Sequence, residues 1–124
     1  DRLPESAQLG PVLIAAAGLE QAQRYNAATR AYQAVLARWP KEAAAWMGQG
    51  NTLYALGQFQ AAERSFRMAV ELSPELPAAW NNLAYALSRQ GRRAEAVVAA
   101  SKAVALSGGE SAVYRDTLEE VLSF

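Results

Sequence analysis

A chain of 124 residues with twelve basic and twelve acidic side chains carries no net charge, no cysteine and no histidine. That length suits one domain with a modest core. Disulfides, thiol catalysis, histidine-based triads and the usual zinc sites are excluded within such a chain, and the charge balance argues against a nucleic-acid partner.

The sole basic cluster, Arg89, Arg92 and Arg93, reads as a solvated helix end. The longest apolar run, "VLIAAAGL" at 12–19, falls well short of the roughly 20 residues that span a bilayer, so no direct membrane insertion is expected. The first residue is Asp1, which reads as an excised or processed piece of a larger parent. Without cysteine, no compartment can be assigned.

Taken in chain order, residues 1–8 read as a leader and seven helices are predicted, over 9–22, 26–38, 43–56, 60–72, 77–90, 94–106 and 111–122, with no strand. In 43–56, Trp46, Gly50 and Leu53 recur at helical spacing and Gly57 supplies a stop. In 60–72, Ala62, Phe66, Ala69 and Val70 form a second apolar stripe that ends at Ser73-Pro74. The next pair repeats the design, with Pro77 near its first turn and Gly91 at the bend.

The repetition has a period. Trp46 and Trp80 lie 34 residues apart, as do Gly57 and Gly91, Ala62 and Ala96, and Ala69 and Ala103. The register runs backwards through Tyr25, Ala28, Tyr32, Leu36 and Pro40, which defines units 9–42, 43–76 and 77–110. A helix pair of this kind cannot bury its apolar stripe alone, and stacking identical neighbours does so. Small residues, Ala16, Gly50 and Ala84 on the first helices and Ala28, Ala62 and Ala96 on the second, mark the close approaches. Trp46 and Trp80 are expected to fill the core beside them.

The pattern W-x3-G-x6-G-x-F-x2-A-x3-F-x2-A-x2-L-x-P from Trp46 to Pro74 resembles the tetratricopeptide repeat. The third unit follows it from Trp80 to Leu106 and departs at Arg93, Ala100 and Gly108, and the first unit is the poorest match. Residues 111–124 look like the solvating helix that closes such arrays, with Glu119 and Glu120 supplying polarity. The resemblance implies an all-α fold: a right-handed superhelical solenoid of three helix-turn-helix units and a capping helix, whose first helices line a concave groove that binds peptide or protein segments.

On each first helix a second stripe lies beside the core stripe: Met47, Asn51 and Tyr54 in one unit, Asn81, Asn82, Tyr85 and Arg89 in the next. These match the positions from which members of the family contact ligands. Asparagine amides at 51 and 82 offer a donor and an acceptor to a peptide backbone. Tyr54 and Tyr85 offer flat apolar area, and Arg89 suits a carboxylate. Ordinary surface residues, or asparagines bonded within the stack, are the bland alternative. The two-carboxylate clamp that some members use is not expected, because no lysine lies on a groove stripe.

Leu13, Ile14 and Ala17 occupy the second stripe of the first unit, an apolar patch to be covered by the leader, a parent domain, a partner or a second copy of the chain. Trp39, at a loop end, is either a cap on its helix pair or a docking aromatic. Catalysis is not expected: Glu63, Glu71, Glu95, Glu119 and Glu120 fall on solvated faces and only Glu20 lies near the groove. No cofactor or metal is implied. "NNLAYAL" followed by "YRDTLEEV" is also similar to C-terminal repeat tails of some bacterial papain-like cysteine peptidases, which would place the module in the cell envelope or periplasm and the catalytic residues before Asp1. Two functions follow as expectations: a non-catalytic peptide-binding scaffold, or a docking or self-association module of a larger protein.

Overall fold

Alternating helical stripes and left-handed turns set the architecture. The structure, a computed structural model, describes residues 5–123, and these form seven helices with no strand. They are α1 (Glu5–Gln21), α2 (Tyr25–Arg38), α3 (Ala43–Ala55), α4 (Phe59–Leu72), α5 (Pro77–Ser88), α6 (Arg93–Leu106) and α7 (Ala112–Leu122). The first begins four residues earlier than the spacing predicts, so part of the expected leader is helical and Pro11 lies inside the helix. Residues 1–4, the rest of that leader, lie outside the described residues, as does Phe124.

Each helix pair turns the same way. Gly57 (φ 79°) and Gly91 (φ 75°) adopt the left-handed conformation that ends α3 and α5. The amides of Gln58 and Arg92 then reach back to the carbonyls of Leu53 and Leu87, at 2.9 and 3.1 Å. In the first pair Gln23 takes this place at φ 61°, with Arg24 N–H bonded to Leu19 O at 2.9 Å. None of the N-cap side chains of α2 to α7 makes a capping hydrogen bond. Helix stability here comes from tertiary burial rather than from caps.

Odd-numbered helices touch along one side: α1 meets α3, α3 meets α5, and α5 meets α7. The even-numbered helices show no comparable backbone approach to one another among the described residues, although the side chains of Arg67 and Glu95 bridge α4 and α6. The stack therefore curves, with α1, α3, α5 and α7 forming an inner wall and α2, α4 and α6 splayed outside. Glycine permits the tightest approaches. A Cβ on Gly50 would lie 2.4 Å from Cε1 of Phe66, and one on Gly48 2.1 Å from Cζ of Tyr32.

The core divides into one cluster around Ala28, Tyr32 and Val35 and a larger one around Phe66, Leu83, Leu87 and Val121. Trp46 packs against both. Neither Trp46 nor Trp80 is fully interior, which corrects the sequence expectation. Each is half-buried, and its indole N–H donates at 2.8 Å to a loop carbonyl, Pro40 O or Pro74 O. The indole needs a polar partner, and the preceding loop supplies it at the rim. Trp39 is half-buried against the first cluster, with the Arg38 guanidinium 4.8 Å from its ring centroid.

The outer face carries a second correction. Glu63, expected on a solvated face, is only 6% exposed. It accepts from Arg67 Nε at 2.7 Å, Arg92 Nη1 at 2.6 Å and Gln90 Nε2 at 3.0 Å. Burial pushes its carboxyl up, but the bonds from Arg67 and Gln90 and the charges of Arg67 and Arg92 outweigh that and hold it below the usual range. Glu95 bonds Arg92 and, across the gap between α4 and α6, Arg67 at 3.2 Å. The basic cluster is thus a set of tethers: Arg92 closes this network, and Arg93 donates to the Leu122 carbonyl at the end of α7. Glu71, Glu119 and Glu120 are exposed as expected.

Candidate functional site

Neither α3 nor α5 contains a charged residue. The centre of the inner wall is therefore neutral, and its polar groups are amides and phenols. Asn51, Tyr54, Asn82 and Tyr85 project from these two helices around a hollow of about 130 Å³, with Phe66 of α4 also lining it. Asn82 Nδ2 donates to Asn51 Oδ1 at 3.0 Å. This bond spans neighbouring repeats and leaves both amides half-buried.

An aromatic run borders the hollow. Tyr54 meets Tyr85 edge-on at 6.5 Å between centroids and Phe59 at 5.0 Å. Arg89 lies over Phe59 at 4.4 Å and 5.9 Å from the Tyr54 ring. The Tyr85 hydroxyl and Thr117 Oγ1 of α7 are hydrogen-bonded at 3.2 Å, so the closing helix fixes the last ring of the run. These contacts hold the rings and amides of the hollow in fixed positions.

Four of the sequence-predicted residues thus meet at one hollow, and Arg89 flanks it. Met47 is half-buried against the core. Asn81 departs from its expected groove position: it is 6% exposed, and its Oδ1 is buried without a hydrogen-bond partner. Of the apolar patch, Leu13 is half-buried against the first core cluster, Ala17 is half-buried, and Ile14 is 74% exposed. Neighbouring Val12 is 36% exposed.

Sequence reasoning missed the first unit's contribution. Tyr32 is buried, yet its hydroxyl donates to Glu20 Oε1 at 2.8 Å, while its ring occupies the space that a side chain at Gly48 would take. Burial first, then the bond and charge of Glu20, push the Tyr32 phenol well above its ordinary range, so it stays a donor. The signal was present: a tyrosine where the next unit has Phe66, and a glycine where the next unit has Asn82.

Seven helices, paired by left-handed turns and stacked with one curved inner wall, define a helical-repeat solenoid. The sequence profile of the tetratricopeptide repeat matches residues 15–77 and 48–111, and the chain belongs to that family. No curated protein matches the sequence. Among solved structures, the fold is similar to the Yersinia enterocolitica type III secretion chaperone SycD in complex with a peptide of the translocator YopD. The TM-score is 0.87 at 21% identity, over 93% of this chain and 92% of that one. It is also similar to the first repeat domain of Spaghetti (RPAP3) bound to an HSP90 peptide, with TM-score 0.89 and 15% identity over 95% and 93% of the two chains. The Sgt2 repeat domain of Aspergillus fumigatus gives TM-score 0.85 and 22% identity, over 98% of this chain and 79% of that one.

Proposed function

We propose that the chain is a non-catalytic scaffold that holds an extended protein segment across α3 and α5. The observation that carries this reading is the neutral inner wall with its aromatic-lined hollow beside the Asn51–Asn82 amide pair. A cavity of about 150 Å³ accommodates benzene, so the hollow has room for one apolar side chain of a bound segment. The amides next to it suit the segment's own N–H and C=O groups. Two structurally similar proteins carry bound peptides, which supports the same use of this fold. The test is titration calorimetry with a segment captured by the protein. Tyr85→Ala is expected to weaken binding at least about tenfold, as loss of an aromatic anchor does. Unchanged affinity would move the site off the inner wall, to Trp39 or the outer face.

A second reading rests on a separate observation, the exposure of Ile14 and Val12 on α1. An isolated apolar face of this kind suits docking onto a parent domain or a second copy of the chain. The cysteine-peptidase parent suggested by "NNLAYAL" and "YRDTLEEV" belongs to this reading.

A further inference from the structure

Building on the groove reading, we propose that Glu20 is a specificity residue that selects a basic side chain, Lys or Arg, in the bound segment. Glu20 sits near the end of α1, where the Tyr32 hydroxyl that donates to it also lies against Gly48 of the uncharged α3. Two features make it more than a surface carboxylate. One oxygen is held by the hydroxyl of a buried tyrosine at 2.8 Å, and that tyrosine is seated where Gly48 lacks a side chain. No cation of the described residues lies within salt-bridge distance of it, whereas Glu63 and Glu95 are both paired with arginines. A fixed, half-buried carboxylate without a cation is an electrostatic vacancy for one.

The spacing follows from the stack. Packed helices lie about 8–10 Å apart, and the hollow lies between α3 and α5, about one and a half spacings from α1. At about 3.3 Å per residue, an extended segment covers that distance in about four residues. The segment therefore carries its basic residue about four positions from the apolar side chain seated in the hollow.

The experiment is selection of phage-displayed random dodecapeptides on the folded protein, followed by calorimetry with the synthetic consensus. The expected result is enrichment of Lys or Arg at a fixed spacing from a Leu, Val, Met or aromatic residue. Replacing that base with Gln in the peptide should weaken binding about tenfold, the effect of losing one charge-assisted contact. In Glu20→Gln, which retains an acceptor for Tyr32, the Lys and Gln peptides should bind equally. Tyr32→Phe keeps the ring in place and frees the carboxylate, so the preference for Lys should shrink while the Gln peptide binds as before. A preference for Lys that persists in Glu20→Gln, or a consensus without a base, overturns this inference alone. Failure of any peptide to be enriched overturns the groove reading and this inference with it.

Discussion

Asn82 donates its amide N–H to the Asn51 carbonyl oxygen at 3.0 Å, joining two consecutive repeats at the centre of the inner wall. The sequence left two uses open for these amides, pairing with a ligand's backbone or bonding within the stack. They are half-buried and bonded to each other, so each contributes to stability. Asn51→Ala or Asn82→Ala alone should cost about 1 kcal/mol, the net worth of one hydrogen bond. The double substitution should cost less than the two singles added, because each single leaves an unpaired partner. Urea unfolding of the four-protein cycle measures this. Strict additivity would mean that the bond contributes nothing in solution.

The Glu63 network sets an acid limit. Its carboxyl is held below the usual range when folded, so its stabilising contribution is complete above the unfolded value of about 4.3 and is lost as pH falls through the folded value. Thermal midpoints should be flat from neutral pH to about 5 and then fall. Glu63→Gln should be less stable by about 2 kcal/mol at pH 7, the range for hydrogen bonds to a charged group, and should show a weaker acid dependence. An unchanged acid profile would assign the acid sensitivity to other carboxylates.

Gly48 and Tyr32 form a size-complementary pair. Alanine for glycine in a helix normally gains up to about 1 kcal/mol, and at Gly48 the sign should reverse. The added Cβ would lie 2.1 Å from the Tyr32 ring, so Gly48→Ala should destabilise by about 1–3 kcal/mol, the usual cost of overpacking. Gly48→Ala combined with Tyr32→Ala should recover part of that loss. Chemical denaturation distinguishes these outcomes.

Gln23 holds a left-handed conformation at φ 61° where the other repeats have Gly57 and Gly91. Gln23→Gly should stabilise the protein by about 0.5–1 kcal/mol, the relief of left-handed strain less the extra entropy of the unfolded glycine. A loss of stability would show that the Gln23 side chain makes a compensating contact in solution.

Trp80 is half-buried with a bonded indole N–H, so its truncation should cost less than that of a fully interior tryptophan. About 2–3 kcal/mol is expected for Trp80→Ala, below or at the lower end of the range for full burial. A shift in the urea midpoint beyond that range would restore the interior assignment.

Helix number, pairing and the 34-residue register were legible in the sequence because they follow from local chemistry and stripe periodicity. Gly57 and Gly91 announce turns by their backbone freedom, and Ala62, Phe66 and Ala69 announce a buried face by spacing. Asn51, Tyr54, Asn82 and Tyr85 were separable from the core stripe by the same periodicity. Only the tertiary structure decided which of these groups meet. Glu63 is buried because arginines from its own helix and from the turn before α6 converge on it, a long-range arrangement that helical spacing does not contain. Asn81 is buried although it lies one residue from the half-exposed Asn82, because the packing of neighbouring helices sets how wide the inner wall is. Glu20 acquires its partner only when α2 brings a tyrosine hydroxyl past a glycine on α3. Periodicity reports which face of a helix a residue occupies; the identity of what faces it depends on the stacking of elements distant in the chain.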